Sequence, residues 1–467
     1  MSTLCWLRRD LRLHDNQALS AALSEGETHL AFVFDTHILS KLQDKKDRRI
    51  TFILDSLKEI EATLQKKGTS LHVLYGRPEE EIPKLASLLK ASTVYVNRDY
   101  EPYAKERDKK VEQKLKALKI KFEQFKDAVF FEKREVLTNT GGLYKVFTPY
   151  KNKWLESFEN TGKIISDFEC PLKHLAKFEN PENVLNKDWL KEIGFKPNPP
   201  LLPGGTQAAK KRLKKFTEEL DQYAEMRNFP ALEGTSGLSV YIRFGNISIR
   251  DMLRVATSSN SEGARVWLSE LIWRDFYQMI LDAYPHVTKG SFKREYDQIK
   301  YLGKEEDFLA WCQGETGYPI VDAAMRRLNE TGLMHNRLRM VVASFLTKIL
   351  LVDWRKGEAY FAEKLLDYDL AANNGGWQWS SSSGCDAQPY FRIFNPYTQS
   401  EKFDSEGKFI KKWVPELAHL GKKEIHRPDT LLNPQYFAPI VSYELNRQRC
   451  LAMYAVVAKQ GKKTPIS

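Results

Sequence analysis

Cysteine is scarce in this chain: five residues (Cys5, Cys170, Cys312, Cys385, Cys450) scattered over 467, with no C-x-x-C pair. That spacing excludes a disulfide framework and a cysteine-based zinc site. The nine histidines form no H-E-x-x-H, so no metal site is expected. No apolar run approaches the roughly 20 residues a membrane-spanning helix needs. The N-terminus, MSTLCWLRRDLRLHDN, lacks the apolar stretch of a secretory signal, and a cytoplasmic location is expected. Also missing are a G-x-G-x-x-G after the first strand and a G-x-x-x-x-G-K-[ST], the usual dinucleotide and phosphate cradles. There is no internal repeat and no low-complexity segment.

What is present points elsewhere. Hydrophobic residues make up 42% and aromatics 12%, enough to fill a large core. A net charge of +11 suits a polyanionic partner such as nucleic acid, bound through phosphate neutralisation and counterion release.

The first ~130 residues alternate short apolar runs with longer amphipathic ones, the pattern of a five-stranded parallel α/β sheet, doubly wound. The strand candidates are residues 4–7, 30–34, 71–75, 93–97 and 121–125, with a helix over 51–67. Periodicity fades over 131–205, read as an interdomain linker whose dense turn signal NPPLLPGG (198–205) marks the boundary. From 206 to 467 the pattern is long and helical, predicting a large all-α domain.

Four constellations stand out. In SELIWRDFY, Glu270, Trp273, Arg274 and Tyr277 share one helix face, and Leu271, Ile272 and Met279 lie opposite. An i, i+4 Glu–Arg pair explains two of these residues but not an indole and a phenol beside them. In HNRLRM, Asn336 and Met340 share a face, and Arg337 is free to reach a phosphate. EGTSGLS (233–239) offers small hydroxyls and backbone N–H groups able to cradle a diphosphate. Finally, DLAANNGGWQWSSSSG (369–384) crowds amides, glycines and indoles together, which suits close approach to something flat.

Together with WLRRDLRLHDN, YKVFTPYKNKW, FPALEGTSGLS, TGYPIVDAAMR and FNPYTQSEKFD, these motifs resemble the DNA photolyase and cryptochrome family, specifically its class I cyclobutane pyrimidine dimer branch. The resemblance runs through nearly the whole chain in order. It implies an FAD cofactor, active in its reduced anionic form, in the helical domain. Tyr223 would contact it, Thr235, Ser236, Gly237, Leu238 and Ser239 would hold its diphosphate, and Trp267, Arg339, Asp367, Tyr368 and Asp369 would border it. Asn373 would place its amide near the flavin N5, on a loop that the two following glycines bring close. Trp377, Trp354 and Tyr301 would form an electron relay, Tyr301 standing where relatives carry a third tryptophan.

The same resemblance assigns contacts with UV-damaged DNA to Arg227, Glu270, Trp273, Arg274, Tyr277, Asn336, Arg337, Met340, Trp379 and Gln399. The family's enzymes flip the damaged bases out of the duplex. The implied activity is light-driven repair of cyclobutane pyrimidine dimers by a monomeric lyase. Leu333 replaces an indole of the family motif. Where folate-binding relatives carry Asn-Glu, this chain has Tyr103-Ala104, although Lys289 matches a folate-contacting lysine. The expected antenna is 5,10-methenyltetrahydrofolate, with a deazaflavin as alternative. A cryptochrome-type photoreceptor is the competing reading; Asn373, where plant receptors carry Asp and animal ones Cys, favours repair.

Overall fold

The computed structural model describes residues 2–178 and 189–461. Packing divides the chain into two compact units that interleave along the sequence. Unit 1 comprises Met1–Leu143, Tyr150–Asp221 and Ser236–Asp282; unit 2 comprises Tyr144–Pro149, Gln222–Thr235 and Ala283–Ser467.

Unit 1 is built on five parallel strands: β1 (Ser2–Leu7), β2 (Glu27–Asp35), β3 (His72–Gly76), β4 (Ala91–Asn97) and β5 (Lys121–Phe125), in the order β3-β2-β1-β4-β5. The interior strands read as near-continuous apolar runs because helices cover the sheet's faces. The helices are α1 (Gln17–Glu25), α2 (Arg48–Gln65), α3 (Pro78–Leu88) and α4 (Pro102–Ala117). Leu4, Trp6, Val33, Val94 and Val96 pack with Ile82 and Leu85 of α3 and with Val111 and Leu115 of α4. All five expected strands are present, and the expected 51–67 helix is α2.

The motif WLRRDLRLHDN has a structural role in this unit. The Arg12 guanidinium, 2% exposed, pairs with Asp127 at 2.7 Å. Arg250 pairs with Asp15 and Asp127, both at 2.7 Å. Buried charges must be matched in this way, because a lone one would pay its full desolvation cost.

The segment expected as a linker, 131–205, falls inside unit 1 apart from Tyr144–Pro149, and so does the Pro–Gly stretch 198–205. It contains α5 (Phe147–Asn160), whose Trp154 is buried. Gly204 lies so close to α2 that a Cβ there would sit 2.4 Å from the Phe52 carbonyl oxygen. The turn signal thus marks a loop pressed onto a neighbour, not the edge of a unit. Unit 1 also holds α6 (Thr206–Glu219) and α7 (Glu262–Ala283).

Unit 2 is helical, with α8 (Pro319–Thr331), α9 (Asn336–Lys348), α10 (Trp354–Lys364), α11 (Leu370–Ser380) and α12 (Tyr443–Gly461) among its helices. Its core gathers Trp311, Leu338, Phe345, Trp354, Phe361 and Trp377. The motif TGYPIVD is also structural here: the Asp322 carboxylate accepts from the backbone N–H groups of Thr316 and Gly317 and from the Tyr436 hydroxyl.

NNGG does not form the expected loop. It lies inside α11, started by Asp369, whose carboxylate accepts from the Ala372 N–H at 3.2 Å. Two weak helix formers survive there because tertiary bonds hold the helix. Asn374 and Gln378, at i and i+4, both donate to the Val287 carbonyl at 3.0 Å, and Gln378 also donates to Asn374.

Candidate functional site

In unit 1, α7 presents the expected face. Trp267, Leu271 and Ile272 are buried, while Glu270, Trp273, Arg274 and Tyr277 are half-buried. The rings of Trp273 and Tyr277 lie 5.3 Å apart and tilted by 30°, forming one aromatic surface. Arg274 donates to the Ala128 carbonyl, which fixes the head of this long side chain. Trp267 packs edge-on against Phe216 of α6 at 4.7 Å.

The next residue along α7 escaped the sequence reading. Asp275 is fully buried and accepts from Trp154 Nε1 (3.0 Å) and from the backbone N–H groups of Phe130 (3.2 Å) and Phe131 (3.1 Å). Burial raises its pKa to about 6 against the pull of these donors and of Arg274. Only its place beside Arg274 in a strongly apolar helix could have hinted at this.

The Thr235–Ser239 loop is shaped by Gly237, whose φ of +64° lies in the left-handed region. A Cβ there would also meet Arg212 Nε at 2.9 Å. Arg212 of α6 donates to the Ser236 carbonyl at 2.5 Å. In the sequence Lys210-Lys211-Arg212 reads as a solvated charge run; the arginine instead holds the candidate phosphate loop. Leu238 is fully buried and Ser239 starts a short helix, Ser239–Phe244.

Unit 2 gathers the remaining candidates. Arg339 of α9 donates through Nη2 to both oxygens of Asp367 (2.9 and 2.8 Å) and through Nε to the Met334 carbonyl. Its Nη1 makes no hydrogen bond among the described residues. On α11, Asn373 donates through Nδ2 to the backbone carbonyl (3.1 Å) and the carboxyl (3.0 Å) of Glu358 in α10. The amide is thereby oriented, and only its oxygen remains to meet a ligand. Burial raises the Glu358 pKa, opposed by the Asn373 bond. Tyr368 is half-buried beside Asp367.

Trp377 and Trp354 are each 2% exposed, and neither indole N–H has a partner among the described residues. Trp377 comes close to α10 because residue 357 is glycine; a Cβ there would lie 2.1 Å from the indole. Tyr301 packs against the same core and against a second cluster containing Tyr454. Asp353 and Arg355, on either side of Trp354, both act on its phenol. Trp311 also lies against Trp377, ring centres 6.0 Å apart, a neighbour the sequence did not disclose.

The residues assigned to DNA fall in several settings. Arg337 donates to Asn228 at 2.6 Å and lies over the Phe403 ring at 4.4 Å. Arg227 lies over the Tyr223 ring at 5.3 Å. Asn336 is exposed, Met340, Trp379 and Gln399 are half-buried, and Gln399 Oε1 is buried without a partner among the described residues. His335 caps α9, accepting from the Arg337 N–H at 3.1 Å. Burial, with Arg327, Arg337, Arg339 and Arg227 nearby, lowers its pKa to about 3, so it is neutral at physiological pH.

Three carboxylates of unit 1, Asp15, Asp167 and Asp251, lie within 4.8 Å of one another. Each already has a partner in the protein: Asp15 pairs with Arg250, Asp167 with Arg254, and Asp251 with Arg254 and the His14 imidazole.

A parallel five-stranded sheet is thus followed along the chain by helices carrying an oriented amide, an Arg–Asp pair and buried indoles. Residues 3–171 match the family model described as DNA photolyase, and residues 267–456 that described as the FAD binding domain of DNA photolyase. The chain belongs to the DNA photolyase family. It is 40% identical to a deoxyribodipyrimidine photo-lyase of Synechococcus over 97% of this chain and 96% of that protein. Its structure is similar to a bacterial class III photolyase from Agrobacterium tumefaciens (TM-score 0.87, 33% identity, 98% of both chains). It is also similar to an archaeal photolyase from Sulfolobus tokodaii solved with two FAD molecules (TM-score 0.83, 35% identity, 98% of this chain and 100% of that one).

The residues present fit FAD. An amide oxygen at Asn373 and a guanidinium nitrogen at Arg339, neither with a protein partner among the described residues, match the mixed donor and acceptor edge of an isoalloxazine. A Cβ at Gly376 would meet nothing within 4 Å, so that side of α11 stays open to a flat group.

Proposed function

We propose that this chain is a deoxyribodipyrimidine photo-lyase, repairing cyclobutane pyrimidine dimers in DNA under light. The observation that carries the reading is the Asn373 amide, locked by Glu358 so that it offers only an acceptor, in a chain whose α7 keeps the Glu270–Trp273–Arg274–Tyr277 face.

Bound FAD, in its reduced form, would under light lend the dimer one electron that returns once the cyclobutane ring has split. Tyr223, Thr235, Ser236, Gly237, Leu238 and Ser239 would hold it, with Trp267, Asp367, Tyr368 and Asp369 at its border. Asn373 would offer it an acceptor, and Arg339, itself oriented by Asp367, would add a positive donor. The rings of Trp273 and Trp379 present apolar surface to the extruded bases and keep water from them, Tyr277 extending that surface. Glu270 holds the polar edge of the dimer, an electrostatic role that strengthens as charge develops there. Arg227, Arg274, Asn336, Arg337, Met340 and Gln399 complete the contacts with the damaged strand. No general base or nucleophile is required of the chain.

The relay Trp377, Trp354, Tyr301 serves re-reduction of the cofactor, not repair. In unit 1, Tyr103 stacks on His37 (4.4 Å, 20°) and donates to Asp35, in the place of the Asn-Glu pair of folate binders. The antenna is read as methenyltetrahydrofolate, with a deazaflavin as its competitor. The protein acts as a monomer in the cytoplasm.

The test is an absorption spectrum of dark-kept protein, before and after illumination with dimer-containing oligothymidine and a reductant. Flavin bands with light-dependent recovery of base absorbance support the reading, and any extra near-ultraviolet or violet band identifies the antenna. Flavin bands without recovery would refute it in favour of a photoreceptor.

A further inference from the structure

The four serines after Trp379 are left unexplained by any cofactor or DNA contact. In the structure they form a buried turn, with Ser381, Ser382 and Ser383 at most 1% exposed. Ser382 adopts φ +67°, a strained left-handed conformation for a residue with a side chain. Each serine ties the turn to a different part of unit 2. Gln388 donates to the Ser380 carbonyl, Tyr454 of α12 to the Ser381 carbonyl (2.9 Å), and the Lys293 N–H to the Ser383 carbonyl (2.9 Å).

The strained residue receives the least ordinary partner. Lys348, the last residue of α9, is 0% exposed, and its ammonium donates to Ser382 Oγ at 2.9 Å and to the Arg392 carbonyl at 3.0 Å. Among the described residues no carboxylate pairs with it. The groups acting on it are Cys450 of α12 and Arg392, and burial lowers its pKa to about 8. An uncompensated buried ammonium costs stability, and an apolar residue of similar volume is often as good or better for the fold. Its two acceptors lie within the 380–395 segment, one toward each end, and that segment leads from Trp379 to Gln399.

We propose that Lys348 is a positioning residue for the damaged strand: it ties together the two ends of the segment after Trp379, holding Trp379 and Gln399 at the spacing that a dimer requires. This rests on the repair reading, in which those two residues touch DNA. Lys348 itself touches neither substrate nor cofactor. The clamp trades fold stability for a fixed substrate surface.

The test uses the full chain with its flavin bound and compares wild type with Lys348→Met. Unfolding midpoint, flavin content, affinity for dimer-containing and undamaged oligothymidine, and single-flash repair at saturating DNA are read together. The expected result is an unchanged or raised midpoint and full flavin. Affinity for the dimer falls about tenfold, affinity for undamaged DNA holds, and the flash yield at saturation holds. Unchanged dimer affinity overturns the proposal, as does equal loss for damaged and undamaged strands. If Lys348→Met does not fold, Ser382→Ala carries the test by deleting one acceptor: a several-fold loss of discrimination supports the clamp, and none overturns it. Absence of repair by the wild type would refute the repair reading instead, and is seen before any variant is made.

Discussion

Asp275 makes a quantitative prediction. Its carboxyl accepts three N–H groups, mostly on one oxygen, in a fully buried position of α7. Burial dominates, and the pKa rises from 3.8 to about 6. The folded protein therefore holds this proton to higher pH than the unfolded chain does. The corresponding stability is fully present below the unfolded value, is lost as pH climbs between the two values, and stays lost above. A shift of that size corresponds to on the order of 3 kcal/mol. Asp275→Asn keeps an acceptor oxygen for the three donors and removes the charge. The variant should match wild type near pH ~4 and exceed it by up to that amount above pH ~6. Urea unfolding of both proteins at a series of pH values reads the difference directly. A gap that does not change across that window would refute the reasoning, because a neutral substitution that repacks the site cannot track a titration. Asp275→Ala should behave differently, leaving three buried donors unmatched and losing stability at every pH.

Trp377→Phe should block photoreduction of oxidised FAD yet spare repair by pre-reduced enzyme; normal photoreduction in a spectrophotometer would mean the relay starts elsewhere. Glu270→Ala should retain flavin and lower the repair yield per flash, and an unchanged yield removes its assigned role. Gly237→Ala forces a side chain into a left-handed position already crowded by Arg212. Its unfolding free energy should fall by about 1–3 kcal/mol with weaker flavin retention. Arg12→Met leaves Asp127 with Arg250 as its only strong partner and should cost about 3–5 kcal/mol in urea unfolding.

The five strands were legible as short apolar runs between amphipathic stretches, and the α7 face because period 3.6 survives where one side of a helix is buried. Trp273 and Tyr277 half-exposed beside Glu270 and Arg274 was an anomaly visible without coordinates. The Glu358–Asn373 bond was not legible, since it links residues on two helices whose crossing no local pattern encodes. The same holds for Arg212 and Ser236, Lys348 and Ser382, and Asp275 with Trp154. NNGG was misread because its helix is held by Asn374 and Gln378 on the distant Val287 carbonyl, not by local propensity. The turn at Gly204 was legible too, but not what it is pressed against.

The order β3-β2-β1-β4-β5 has a consequence for how unit 1 is made. The first strand to leave the ribosome, β1, is the central one, and its second neighbour, β4, begins only at Ala91. Until some ninety residues have emerged, the middle of the sheet is an open edge with apolar faces. A nascent chain thus carries its most aggregation-prone surface first and longest. Removing Ser2–Leu7 would take out the centre of the sheet, not trim its margin.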